Sequence, residues 1–248
     1  MDSYRIRKYS VILSACISGC ALQSHSIQHA PEPPRLPPPA AEPIVLPEVE
    51  IKGEKSQIAR ALERPNIGVI GPSDVFPGHI AAELQRLLRE RNPESVVKSY
   101  GIGGQDSALI LKRFRKQIVG GGHSLVVISG LTIVNEYDAK NIYGNFPKMF
   151  DIAKEAGIPV VVYGPTPFAG LGKWNPHMQK KADDFDLWLR KQDGITYVDT
   201  SSLGTPVRPG GPLKLTKRFD SGDGIHPSRE GAHETARLVF ESALAPHL

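Results

Sequence analysis

The sequence predicts an α/β fold: a doubly wound, parallel five-stranded sheet with helices on both faces, giving three layers. Two observations carry this. From Pro65 onward, short β-rich apolar runs alternate with longer stretches whose apolar residues recur at helical spacing, the pattern of consecutive βαβ units. The runs are also apolar almost without interruption, as strands covered on both faces must be.

The strands are expected at residues 67–71, 96–102, 125–129, 159–164 and 196–199. Ile80, Leu84, Leu87 and Leu88 mark the first intervening helix, and Ala108, Leu111 and Phe114 the second. Phe146, Met149, Phe150 and Ala153 mark the third, and Met178, Phe185, Leu187 and Trp188 lie in the fourth. Asn175 followed by Pro176 reads as a helix N-cap with proline at the first helical position. Leu238, Val239 and Ala243 close a last helix that follows Ser228. Ahead of the first strand, residues 51–64 are expected to form a short leading helix with Ile58, Ala59 and Leu62 on one face. Residues 65–248 then make up the folded domain.

With 248 residues, 40% of them hydrophobic and 23% charged, the chain is neither collagen-like, coiled-coil nor wholly disordered. A net charge of +4 is too mild to argue for nucleic acid as a partner. The two cysteines, Cys16 and Cys20, both precede the domain, which leaves the domain without a disulfide framework, a zinc cluster or a cysteine nucleophile.

The N-terminus has its own pattern. Arg5, Arg7 and Lys8 precede an apolar run over 9–17, too short to span a bilayer, that closes on Ile17, Ser18, Gly19 and Cys20. That is a secretory signal rather than a membrane helix. It resembles the lipobox of bacterial lipoproteins. The resemblance implies that residues 1–19 are a signal peptide and that lipidated Cys20 becomes the new N-terminus and anchors the protein to a membrane. Ala21, in place of an aspartate, implies the outer membrane, facing the periplasm, in a Gram-negative host. Eight of the 22 prolines fall within residues 20–50, a segment that favours extended polyproline conformation over a packed core. At ~3.1 Å per residue this tether would reach about 90 Å.

In an open α/β sheet, ligands bind beyond the carboxyl ends of the strands, where the strand order reverses. The residues that follow the expected strands are therefore the informative ones. Gly71, Pro72 and Ser73 follow the first, Gly103 and Gly104 the second, and Gly130, Thr132 and Asn135 the third. A long loop after the fifth ends in Asp223, Gly224, Ile225, His226 and Pro227. A serine, glycine-rich turns, an amide and an Asp-x-x-His on one rim are the parts of a serine hydrolase: nucleophile, base, orienting carboxylate and oxyanion donors. Three residues of turn let the Asp223 carboxylate reach the far nitrogen of His226, fixing its tautomer. By residue type alone, Ser73 is either the nucleophile or the N-cap of the helix that follows.

From Pro65 to the C-terminus the segments resemble, in order and spacing, the SGNH hydrolases, also called the GDSL esterase/lipase family. The strongest piece is Asp223-Gly-Ile-His226-Pro-Ser228, which resembles the family's closing D-G-x-H-P block before the last helix. The resemblance implies a flavodoxin-like fold, Ser73 as nucleophile, His226 as general base and Asp223 as its partner. The main-chain N–H groups of Ser73 and Gly104 are implied as oxyanion donors. The chain departs from the family at Pro72, where the family has aspartate, and in the third block, where Gly-x-Asn becomes Gly130-x-Thr132 with Asn135 five residues on. Asn135 or Thr132 supplies the third donor, or that donor is missing, with Asn135 slightly favoured because an amide N–H suits an oxyanion better.

Other prominent residues receive structural readings. His79 and His123 read as a helix-start and a turn histidine, Trp174 and His177 as surface packing, and Lys112, Arg113, Arg115 and Lys116 as a solvated basic face. The expected activity is hydrolysis of acyl esters, O-acetyl groups on an envelope glycan above all, with no cofactor and no metal. A non-catalytic glycan-binding domain and an O-acyltransferase are the alternatives.

Overall fold

The computed structural model describes residues 56–248, Pro77 excepted. The signal segment, Cys20, the proline-rich tether and residues 51–55 lie outside the described residues. Five strands form one parallel sheet: β1 (Asn66–Gly71), β2 (Val96–Gly101), β3 (Leu125–Ser129), β4 (Val160–Tyr163) and β5 (Ile195–Val198), in the order β2-β1-β3-β4-β5. That is the flavodoxin-like order, and it reverses between β1 and β3. Crossovers run through α2 (His79–Arg89), α3 (Ser107–Phe114), α4 (Ala139–Glu155) and α5 (Pro176–Leu189), and α6 (Arg229–Val239) closes the domain.

The alternating faces of the strands feed two apolar cores, one on each side of the sheet. Val69, Val127 and Val161 pack with Leu84 and Leu88 of α2 and Ala236 and Val239 of α6. Ile70, Ile128 and Val162 pack on the other side with Phe114, Phe146 and Phe185, from α3, α4 and α5. Phe185 meets Phe146 edge-on, with ring centroids 5.1 Å apart, an arrangement the ring quadrupoles favour.

Three expectations need correction. Of the expected leading helix at 51–64, residues 51–55 lie outside the described residues; in the remainder α1 covers Gln57–Ala61, with the Ser56 hydroxyl accepting from Ala59 N–H at 3.1 Å as its N-cap. It stops short of Pro65, whose ring disfavours helical backbone in the residue before it. Second, β2 is an edge strand with one neighbour, and it is mostly exposed or half-buried rather than covered on both faces. Third, β6 (Gly204–Pro206) and β7 (Leu213–Leu215) form an antiparallel hairpin that the sequence did not announce. Strands of three residues, one of them ending in Pro206, are too short to be read from alternation.

Candidate active site

β1 ends at the point where the strand order reverses, and Ser73 stands two residues beyond it. Ser73 does not cap α2, whose N-cap is Gly78. Its hydroxyl instead lies 2.7 Å from His226 Nε2, and His226 Nδ1 lies 2.5 Å from Asp223 Oδ2. The network assigns the ring proton to Nδ1, which donates to Asp223, leaving Nε2 to accept from Ser73.

The loop that carries Asp223 and His226 holds itself in place. Asp223 Oδ1 accepts from the N–H groups of Ile225 and His226 at 3.0 and 2.8 Å. Asp220 Oδ1 accepts from those of Gly222 and Gly224. Ser228 then N-caps α6 through Gly231 N–H at 3.1 Å. The Asp-x-x-His-Pro-Ser spacing therefore encodes an Asx-type turn running into a helix cap, with the imidazole held between. Burial pushes the Asp223 carboxyl up, but the bonds from the His226 ring and from the His226 and Ile225 N–H groups, with the imidazole's charge, bring it down to about 2. It stays ionised wherever the imidazole can act as a base.

The β2 loop runs beside Ser73. A side-chain carbon on Gly103 would come 3.9 Å from Ser73 Cβ. Gly104 has φ +72°, a backbone open to glycine at little cost, and nothing crowds it. Among the described residues, the N–H groups of Ser73 and Gly104 donate to no protein acceptor, as oxyanion donors require.

The structure separates the two candidates for the third donor. Residues Gly130–Asn135 form a 3-10 turn begun by the Ser129 hydroxyl, which accepts from Leu131 N–H. Inside it Thr132 is fully buried, and its hydroxyl donates to the Ser129 carbonyl at 2.8 Å. Thr132 is thereby withdrawn from the site. Asn135, half-buried at the end of the same turn, donates through Nδ2 to the Gln105 carbonyl at 3.0 Å, in the loop that bears Gly104. The adjacent Glu136 is buried and accepts from Ser107 N–H at 2.6 Å. The β3 turn thus grips the β2 loop at two points.

Two residues beside the site were missed in the sequence. Asp74, next to Ser73, is buried, and its Oδ2 accepts from the Ser129 hydroxyl and the Tyr163 phenol, each at 2.6 Å. A carboxylate absent before the serine at Pro72 is present immediately after it, tying the Ser73 turn to the ends of β3 and β4. Burial pushes the Asp74 carboxyl up, against the opposing effect of the Ser129 and Tyr163 bonds. With the folded pKa raised, the stability Asp74 contributes is fully present below the ordinary carboxylate value of about 3.9 and is lost as pH rises through the folded value. Asp74→Asn cannot ionise, so its unfolding midpoint should lack that decline when followed against pH. Parallel curves for wild type and variant would show that Asp74 titrates alike folded and unfolded.

The second is Arg113, expected on a solvated face. Lys112, Arg115 and Lys116 are exposed, but Arg113 is half-buried. Its guanidinium donates to the Gly71 and Tyr100 carbonyls at 3.0 and 2.7 Å and to the Gln105 and Gln117 side chains at 2.7 and 2.6 Å. It clamps the ends of β1 and β2, from which the Ser73 and Gly104 turns depart. Arg113→Met leaves those carbonyls without a donor and should cost about 2–3 kcal/mol in denaturant unfolding, whereas Lys112→Met should stay within about 0.5 kcal/mol.

The histidines and tryptophan set aside as structural fall largely where expected. His79 opens α2 and borders the cavity beside Ser73. His123 is a buried turn residue bonded to the Tyr100 hydroxyl and to Asn66. His177 is exposed. Trp174, half-buried, borders a separate pocket.

Solved structures share this arrangement of sheet and helices. A lipase/acylhydrolase from Enterococcus faecalis superposes with a TM-score of 0.60 at 19% identity, over 73% of this chain and 96% of its own. A GDSL-like lipase from Bacteroides thetaiotaomicron gives 0.54 at 22% identity, over 77% and 95%, and an acetyl xylan esterase gives 0.59 at 13%, over 71% and 98%. The fold is that of the SGNH hydrolases. No family model matches the chain, and no curated protein matches it in sequence. At these identities the likeness concerns the fold, and the case for chemistry rests on the residues of the site.

Proposed function

We propose that the protein is a serine esterase that hydrolyses short acyl esters, O-acetyl groups on a glycan above all. The observation that carries this is the unbroken hydrogen-bonded chain from Ser73 through His226 to Asp223 at the strand-order switch. Ser73 Oγ attacks the ester carbonyl as His226 Nε2 takes its proton, and Asp223 stabilises the imidazolium. The N–H groups of Ser73 and Gly104 and the Asn135 amide receive the oxyanion. Collapse expels the alcohol, which takes the proton from His226, and a water activated by the same imidazole then releases the acyl group. A cavity of about 400 Å³ opens beside Ser73 and His226, bordered by Phe76, His79 and Pro227, and offers room for part of an ester substrate. The acetyl xylan esterase among the structural relatives supports an acetyl ester on sugar.

A fluorophosphonate probe tests the reading. It should label wild type stoichiometrically and leave Ser73→Ala unlabelled. An unlabelled wild type that retained glycan binding would instead establish a non-catalytic domain. Release of acyl groups only when an acceptor alcohol is present would establish an O-acyltransferase.

The cell-envelope setting is part of the same proposal and rests on the N-terminal sequence. The mature protein is expected to begin at Cys20 and to carry lipid there, attached to the outer membrane of a Gram-negative host and facing the periplasm. Intact-mass and N-terminal peptide spectra check this, and an unmodified Cys20 in the mature chain would overturn it.

A further inference from the structure

A second cavity, larger than the one beside Ser73, lies elsewhere in the domain. It holds about 720 Å³, within the range of ligand pockets, and lies on the same rim of the sheet but beyond β4 and β5. Its floor is made by the segments that follow those two strands, one wall by α5 and the other by the tip of the β6–β7 hairpin.

The lining combines flat apolar surface with ionised groups. Phe168 and Trp174 border it, and the Trp174 indole N–H is directed onto Gln179 at 3.1 Å, which fixes the ring. Four carboxylates and three cations also line it. Arg190 bridges Asp186 and Asp199 at 2.8 and 2.9 Å. Arg208, at the hairpin tip, makes no ion pair among the described residues and stands exposed. Thr166, on the floor, is 1% exposed, and its hydroxyl has no hydrogen-bond partner. That hydroxyl is enclosed by protein and is not part of the surface a ligand can touch.

This lining selects by chemistry. A fatty acyl chain would strip water from the charged groups without replacing it. A polyanion would find Arg208 alone outside an ion pair, because Lys180 is paired with Asp184 and Arg190 with Asp186 and Asp199. A neutral sugar satisfies both parts of the lining, because its C–H face lies against an indole while its hydroxyls donate to carboxylates and accept from Arg208.

The position also fits an extended substrate. With strands ~4.8 Å apart, the pocket lies about 10–15 Å along the rim from β1. It adjoins the catalytic loop directly, since a side-chain carbon on Gly224 would fall 2.2 Å from the Gly170 backbone. Gly170 belongs to the segment between Phe168 and Trp174.

We propose that this pocket is an accessory sugar subsite of the esterase, holding an unmodified ring of a neutral glycan whose acylated ring lies at Ser73. The inference rests on the ester-hydrolase reading and adds a substrate class to it. Its test compares the mature full-length protein with Trp174→Ala and Arg208→Ala on 4-nitrophenyl acetate and on partly acetylated hexasaccharides of xylose, glucose and N-acetylglucosamine. For at least one hexasaccharide, the ratio of its kcat/KM to that of 4-nitrophenyl acetate should fall about tenfold in each variant, the size of one lost aromatic or charged contact, with the loss in KM. In parallel, unacetylated hexasaccharides are titrated against Ser73→Ala by calorimetry, and the binding seen should disappear when Trp174→Ala or Arg208→Ala is added. If none of the three binds, or if neither variant changes the ratio, the subsite is overturned and the esterase stands. If 4-nitrophenyl acetate is not hydrolysed and Ser73 does not label, the esterase reading falls, while the titrations still decide the pocket.

Discussion

Ser73→Ala and His226→Ala should each lower turnover on a short-chain acyl ester by about 10⁴–10⁶-fold, and the double variant should be little worse than either. Ser73 Oγ and His226 Nε2 are 2.7 Å apart, so the hydroxyl gives up its proton along the same bond through which it is activated. Without the imidazole the serine is a weak nucleophile, and without the serine the imidazole has no proton to take. The two form one unit, and their losses do not multiply. Fully multiplicative losses would mean that they act in separate steps, contrary to the mechanism proposed. Neither side chain lies in the apolar core, so both variants should keep the unfolding midpoint of wild type, which separates lost chemistry from lost structure.

Asn135→Ala should cut turnover about 100- to 1000-fold with little change in apparent affinity, as expected of a donor whose bond strengthens only as charge develops on the carbonyl oxygen. One Nδ2 hydrogen is engaged by the Gln105 carbonyl, and a primary amide has a second to offer. The first bond orients the amide beside the loop of Gly104, and the second is available to the oxyanion. Thr132→Val should leave kcat almost unchanged and cost about 1 kcal/mol of stability, since it removes the hydroxyl's bond to the Ser129 carbonyl. If Thr132→Val were the more damaging to kcat, the donor would belong to Thr132 after all. If neither variant altered kcat, the oxyanion would be held by main-chain N–H groups alone. A rise in KM for Asn135→Ala with kcat intact would assign Asn135 to substrate binding.

Where sequence reasoning succeeded, the signal was local. β3 spans the expected residues, and the other four sheet strands begin or end within one residue of theirs; β1, β3 and β4 are buried on both faces, and such strands must be written as continuous apolar runs. The D-G-x-H-P-S block could be read for a similar reason. Its internal bonds join residues two to four positions apart, so spacing and geometry are nearly the same information. The short β6–β7 hairpin left no such trace, and neither did the edge position of β2, which depends on which strand finds a neighbour.

Asn135, Asp74 and Arg113 could not be placed in this way. Asn135 and Thr132 are both polar residues after the same strand, and the choice between them turns on a 3-10 turn that directs one hydroxyl inward and one amide onto a loop 30 residues away. Asp74 meets its partners 55 and 89 residues along the chain. Arg113 lies among four basic residues within five positions, and it alone reaches back 42 residues to the end of β1. The sequence by itself determined the strands, the helices and the catalytic candidates Ser73, Asp223 and His226, since each is marked by residue type and short-range spacing. Only the tertiary structure decided which polar groups are buried and which bonds they make, because those depend on contacts between residues distant in the chain.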